Sequence, residues 1–429
     1  MSGVLGVLQF VAIAWACVYE LRKKSIAIFI WAVLMIMFGF THMISVISGN
    51  YDYSLSTMNK ASIFVILFTS IYIIARMIFS RKINNETIEN KLKLTDREEY
   101  ISIKFMYILL YILIFSILVR CVDLIRTAGG SIFSTSWETM RQTGGEYFSI
   151  SQIFMPFFLL SSSCLCLAIK YNNKKVIAFS TIAILFEVLI SRNRIEILPL
   201  LVAIIYIIIL KINKITLKRI FLLCCIGIVG IYSIYALRVF RHAGTISKFF
   251  EHYNIITFNK TILEYFKNDD GELGLRNYMY YFIENNNNFE NFEKGHTYGR
   301  MALALVPTKW SFGLKPPDFA ISMGTAVNSK AKGFSVHPTL FGDVYANFGT
   351  YGFLFGVFWA LAVTIIDILA LKRNKILFLP FSMIWACVYI IQARGSVYNG
   401  YVWGVYASII LICIYIIFKW VNKVEKINK

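Results

Sequence analysis

SVHPTLFGDVYANFGTYGFLFGVFWALAVTIIDILALKR occupies residues 335–373. An apolar run begins after Pro338, continues to about 371 and stops at Lys372, Arg373 and Lys375. It exceeds the roughly 20 apolar residues that a helix needs to cross a bilayer, even with a kink at Gly349 or Gly352. Before it lies a polar, aromatic, Gly/Pro-punctuated stretch of about a hundred residues, from 238 onward, which holds His242, His252, His296 and His337. This switch from polar loop to apolar span sets the reading of the whole chain.

Outward from it, similar runs recur. They cover about 3–19, 25–48, 61–79, 105–125, 152–169, 176–191, 195–210 and 220–238 before the loop, and 376–391 and 401–418 after 339–371. The chain is 58% hydrophobic with a mean hydropathy of +0.63. Within lipid every backbone polar group needs an internal partner, so the runs are expected to be helices. They lack the alternation of a barrel strand. The expectation is an all-α polytopic membrane protein with about 11 transmembrane helices. Residues 1–238 would hold the first eight, 239–338 one large external loop, and 339–429 the last three with a basic tail.

Lys and Arg decide orientation. With the N-terminus outside, the inner connectors and tail carry roughly four times the Lys and Arg of the short outer connectors, as the positive-inside rule requires. An N-out/C-in arrangement places the long loop, SRNR (191–194) and ARGS (393–396) on the same outer face. The N-terminus lacks a basic region and a cleavage site, so it is expected to be a permanent span. The net charge of +19 is spread as topology signals with no nucleic-acid motif, so no nucleic-acid partner is expected. The eight cysteines all lie in apolar segments, as small buried hydrophobes. NYMYYFIENNNNF (277–289) and TYGRMALALVPTKW (297–310) suit helices lying in the membrane interface.

Several residues are chemical candidates. Arg192 and Arg194 occupy a tight turn near Glu187 and Glu196. They either pair with those carboxylates and reach headgroups, or form a cationic pocket for phosphate, which the planar guanidinium fork suits. Arg394 sits in a short outer turn, as a helix-end anchor or a second cation of that pocket. Arg120, Asp123 and Arg126 share one helix face and suit a structural Arg–Asp pair. Arg300, between Gly299 and an apolar run, is the best-placed loop cation, ahead of Lys309 and Lys315. His337 precedes Pro338, which disfavours helix before it and suits a helix start after it. Its imidazole would sit at a helix entrance, as a cap or as a base for a hydroxyl nucleophile. Asp343, with Asn347 at i+4, lies within that helix, where a carboxylate is either a base or the partner of an arginine. No HExxH, DxD, Walker or GxGxxG pattern points to a metal or nucleotide.

These motifs, ordered between about 190 and 400, resemble the oligosaccharide repeat-unit polymerases, also called O-antigen polymerases. The carriers are SRNR opening a mid-chain apolar helix, GHTYGRMALALVPTKWSFGLKPPD (295–318) in a long outer loop, and HPTLFGDVYANFGTYGFLFG (337–356) entering a late span. The resemblance implies a membrane glycosyltransferase of bacterial surface polysaccharide synthesis in the cytoplasmic membrane. The growing glycan on undecaprenyl diphosphate would be donor, and a lipid-linked repeat unit would be acceptor. His337 resembles the histidine of the related O-antigen ligases, with Asp343 the second choice of base. Arginines near the diphosphate would be Arg192, Arg194, Arg300 and Arg394. The implied reaction needs no cofactor. A chain-length-regulating membrane protein is an expected partner. The rival readings are an O-antigen-ligase-like transferase and a glycolipid flippase.

Overall fold

The computed structural model describes residues 2–50, 53–81, 83, 85–128, 150–191, 193–212, 216–243, 246–267, 273–290, 292–328, 335–395 and 397–427. It contains helices and no strand among the described residues. Helix α1 (Ser2–Arg22) is followed by α2 (Ile28–Ser48), α3 (Leu55–Phe79), the short α4 (Asn85–Leu92) and the long α5 (Asp96–Ala128). Next come α6 (Ile150–Lys170), α7 (Lys174–Ser191), a 3-10 turn at Arg194–Ile197, α8 (Leu198–Leu210) and α9 (Leu217–His242). The loop region carries α10 (Ile246–His252), α11 (Ile255–Lys267), α12 (Asn277–Glu284), α13 (His296–Ala302) and α14 (Phe319–Val327). Helix α15 (Thr339–Phe348) passes through a 3-10 segment (Gly349–Leu354) into α16 (Phe355–Lys372), and α17 (Lys375–Arg394) and α18 (Val397–Ile427) close the chain.

Every one of the predicted apolar runs falls on a helix. Among the described residues, seven helical stretches are long and apolar enough to cross a membrane: Ser2–Arg22, Ile28–Ser48, Leu55–Phe79, Asp96–Asp123, Thr339–Lys372, Lys375–Arg394 and Val397–Asn422. The protein is thus an all-α membrane protein. Helix α8, with 13 residues, is only about 20 Å long at 1.5 Å per residue.

The chain divides into two compact units that alternate along the sequence. The first comprises Met1–Glu89, Asp269–Lys372 and Val388–Val402; the second comprises Asn90–Asn268, Arg373–Cys387 and Trp403–Lys429.

In the first unit, α3 packs against both α1 and α16, beside an aromatic centre. Phe341 of α15 is fully buried, with the rings of Phe38 and Phe68 each 5.2 Å away. Helix α2 is interrupted by a π-helical turn at Met35–Phe40. Gln9 of α1 donates to the Phe38 carbonyl at 2.7 Å, so a buried side chain supports a backbone that has left regular α geometry. Ser54 starts α3 by accepting from Thr57 N at 3.2 Å, a helix N-cap. The expected kink in the late span lies at Gly349, whose φ of 62° and ψ of −148° suit glycine alone. Helix α12 departs from the interfacial expectation: Met279, Tyr280, Phe282 and Ile283 are buried. It packs against α15 and α3 instead, because its aromatic residues face both sides of the helix and find protein on each.

The same unit buries a charged network. Arg76 of α3 donates through Nε to Glu20 Oε1 at 2.9 Å, and through its second terminal nitrogen to Glu20 Oε2 and Ser25 Oγ, each at 3.1 Å. It also pairs with Asp367 of α16 and donates to Thr364 Oγ1 at 2.8 Å. Tyr72 donates to Glu20 at 2.7 Å. Arg76 and Glu20 are wholly buried. Each charge is affordable only because its partners replace water.

In the second unit α5 and α6 form the main packing pair, and α6 also packs on α8. Phe105 meets Phe418 at 5.5 Å, and Trp385 donates to Ser408 at 3.0 Å. Arg120 pairs with Glu187 at 3.8 Å and lies 5.1 Å from the centre of the Phe154 ring, so a glutamate from α7 is one of its structural partners.

Candidate active site

Helix α15 begins at Thr339 immediately after Pro338. Thr339 is fully buried and has φ 71°, a left-handed conformation that is unfavourable for a β-branched residue. The turn after α17 holds it there. Gly395 has φ 133°, and a Cβ on it would lie 2.6 Å from Thr339 N and 2.7 Å from the His337 carbonyl oxygen. The ARGS turn therefore lies backbone-to-backbone on the His337–Thr339 entry. Gly395→Ala is expected to lower the thermal midpoint of the detergent-solubilised protein by several degrees, since overpacking costs about 1–3 kcal/mol. An unchanged midpoint would show that the contact is dispensable.

A small cleft, open to solvent, lies beside this contact. It is lined by Thr297 and Arg300 of α13, Asp318 and Phe319 at the start of α14, Asp343 of α15, and Gly395, Tyr398 and Asn399 at the α17–α18 turn. Asp343 is buried and held by neutral donors. Thr297 Oγ1 donates to Oδ2 at 3.1 Å, and Asn347 Nδ2 donates to Oδ1 at 3.1 Å. Asn347 Nδ2 also donates to Thr297 Oγ1 at 3.2 Å, and Asn347 Oδ1 accepts from Thr297 N at 3.3 Å. The i+4 spacing of Asp343 and Asn347 puts both on one helix face. Among the described residues no Lys or Arg forms an ion pair with Asp343.

Arg300 supplies the cation of the cleft. It donates to the Pro316 carbonyl at 2.6 Å and its guanidinium sits 4.8 Å from the centre of the Tyr398 ring. Its Nε is buried and has no hydrogen-bond partner among the described residues. Lys315 lies 6.0 Å from the same ring and donates to the Val306 carbonyl at 2.8 Å. Asp318 caps α14 by accepting from Ala320 N at 3.0 Å. Behind Thr297, Tyr298 accepts from Trp359 Nε1 at 3.3 Å. Burial, and then the nearby Asp343, push the Tyr298 phenol well above its usual range, so it stays neutral.

The structure brings some of the sequence candidates together. Asp343 and Arg300 line one cleft. His337 and Arg394 are half-buried on the two backbone segments that meet at Gly395, and neither lines the cleft. Arg194 belongs to the second unit, in the 3-10 turn capped by Asn193. Arg192 lies outside the described residues. Glu196, its expected neighbour, bonds to Ser191 and to Asn193 Nδ2. Among the described residues no group of three His, Cys, Asp or Glu side chains gathers as metal ligands would.

Sequence reasoning missed two features. One is the Thr297–Asn347 clamp, because a threonine in a loop carries no signal before its partner is known. The other is His42, fully buried in α2, whose Nδ1 and Nε2 each lie 2.7 Å from a hydroxyl, of Tyr280 and Ser62 respectively. A lone histidine inside an apolar run was the available clue to it. Compared with known proteins, the chain matches no family model, no curated protein and no solved structure.

Proposed function

We propose that this chain is a polysaccharide polymerase of bacterial surface glycan synthesis, of O-antigen or capsule. It transfers a growing glycan from undecaprenyl diphosphate to a lipid-linked repeat unit at the outer face of the cytoplasmic membrane. The observation that supports this most is the cleft that joins a buried carboxylate, Asp343, to Arg300, whose buried Nε has no hydrogen-bond partner among the described residues, in a chain of apolar helices. Such a pair offers a base for a sugar hydroxyl and a donor for a departing diphosphate.

In this reading the acceptor hydroxyl oxygen bonds to the anomeric carbon of the donor glycan. Its proton passes to Asp343, and the bond from that carbon to the diphosphate oxygen breaks. Arg300 stabilises the charge growing on the lipid diphosphate. Tyr398 holds the guanidinium from one side, and the Arg394 turn and His337 form the adjoining backbone. Roles for Arg192 and Arg194 at the diphosphate, and for a chain-length-regulating membrane protein as partner, rest on sequence resemblance alone. The donor already carries its activated leaving group, so no nucleotide is required.

The test is to reconstitute the purified protein with lipid-diphosphate-linked repeat units in the absence of nucleotide. A ladder of lengthening glycans on lipid, with release of free lipid diphosphate, is expected. Neither product would sink the proposal; diphosphate release with transfer to a different acceptor would indicate a ligase. A transporter is the second reading, favoured by the Glu20–Arg76–Asp367 network inside the spans and by the broken helices α2 and α15–α16. It predicts that labelled lipid-linked oligosaccharide changes leaflet in vesicles and that no ladder forms.

A further inference from the structure

The segment between α13 and α14 exposes large apolar side chains on a loop, outside any long apolar helix. Leu305, Trp310, Phe312 and Leu314 are 59%, 73%, 94% and 75% exposed. Their backbone is nevertheless ordered. A 3-10 turn at Thr308–Trp310 leads into Phe312 and Gly313 at φ 48° and 81°. A phenylalanine in the left-handed region is uncommon and strained. Here its side chain meets almost no protein to offset that strain. The base of the loop is pinned at two points, Arg300 to the Pro316 carbonyl and Lys315 to the Val306 carbonyl. The tip is thus a closed projection held outward.

Its position follows from α13. Tyr298 stacks among Phe348, Phe355 and Phe358, at 5.1, 5.1 and 5.7 Å, so α13 lies against the first turn of α16. Phe358 also belongs to a row of exposed apolar residues on this span, with Leu354, Val357, Leu361 and Ile365. On a membrane-crossing helix that row faces lipid. The loop leaves α13 where the lipid-facing row begins, at the rim of the span rather than far out in water. Trp and other aromatic residues favour this depth, where an apolar body and a polar edge are both satisfied.

We infer that the tip of the 303–316 loop is a membrane-interface anchor, with Leu305, Trp310, Phe312 and Leu314 entering the headgroup and upper acyl region of the leaflet beside Phe358. The apolar tip and the exposed apolar row of α16 flank the same short helix, α13, which favours lipid over a protein partner as what covers the tip. Because its base carries Arg300 and Lys315, it also fixes one wall of the cleft at the membrane surface. The inference stands whether or not the proposed activity is correct.

Fluorescence of the full chain in phosphatidylethanolamine/phosphatidylglycerol vesicles tests it. The difference between the native protein and Trp310→Phe isolates Trp310 from the other tryptophans, and this substitution at an exposed site leaves the fold intact. That difference signal should lose most of its intensity when the vesicles contain lipid brominated high on the acyl chain, and little with aqueous iodide. Phe312→Ser with Leu314→Ser should reverse the order, raising iodide access. Iodide quenching of native Trp310 with no response to brominated lipid would overturn the anchor and make the tip a water-facing surface for glycan or protein.

Discussion

Arg76→Leu is expected to destabilise the protein by about 3–5 kcal/mol, because breaking a buried ion pair leaves its partners charged and unpaired. Here the partners are two carboxylates, Glu20 and Asp367, both in α-helices of the first unit and both bonded to the same guanidinium. Removing all three charges together, as Glu20→Gln, Arg76→Leu and Asp367→Asn, should restore most of the loss, since a buried network replaced as a whole is often nearly neutral. Unfolding in mixed detergent micelles, followed by far-ultraviolet dichroism, gives both numbers. A triple variant no more stable than Arg76→Leu alone would show that orphaned carboxylates are not the source of the loss, and the gap between the triple variant and the native protein gives the net contribution of the network. The same comparison bears on transport. A helix staple tolerates neutral replacement, whereas a working ion site in a transporter does not.

Under the proposed reaction, Asp343→Asn should reduce the polymer-forming rate by about 10²–10⁴-fold, the usual contribution of a positioned general base. The fold should survive. The amide can accept from Asn347 and donate to Thr297, so only the Thr297 hydroxyl loses its acceptor, at about 1 kcal/mol. His337→Gln provides the comparison, since His337 sits on the entry backbone outside the cleft lining. The expected result is arrest by Asp343→Asn and slowing by His337→Gln in the ladder assay, with equal protein in the membrane. The reverse order would transfer the role of base to His337. An undiminished ladder from Asp343→Asn would remove that residue from the reaction.

The fold was legible to different depths. Apolar run length and the Lys/Arg punctuation marked every long helix, because the bilayer constrains both directly. The break at Gly349 was visible as a glycine in a run too long for one span. The π-helical turn in α2 was invisible, since it depends on Gln9 reaching Phe38 from another helix. Helix α12 was read as interfacial because aromatic residues serve a membrane surface and a protein core equally well.

The cleft was legible in part for a similar reason. Asp343 stood out as a carboxylate in an apolar helix and Arg300 as an arginine among glycines. The cleft they line is closed by a turn nearly a hundred residues away from Arg300, at Gly395 and Tyr398, whose only mark in the sequence was an arginine beside it. Arg192 and Arg194 stood out equally well by type, yet Arg194 folds with the second unit and Arg192 lies outside the described residues.

The contact of Gly395 with the His337–Thr339 backbone has a consequence for biosynthesis. Residues 295–348 emerge from the ribosome before the segment that closes the cleft exists. Until Gly395 and Tyr398 have been inserted, Thr339 lacks the neighbour that holds its left-handed turn and Arg300 lacks its ring. The nascent protein therefore passes through a stage with its spans largely in place and the cleft incomplete. A chain terminated before residue 395 would remain at that stage, a membrane protein with most of its mass and one wall of the cleft missing.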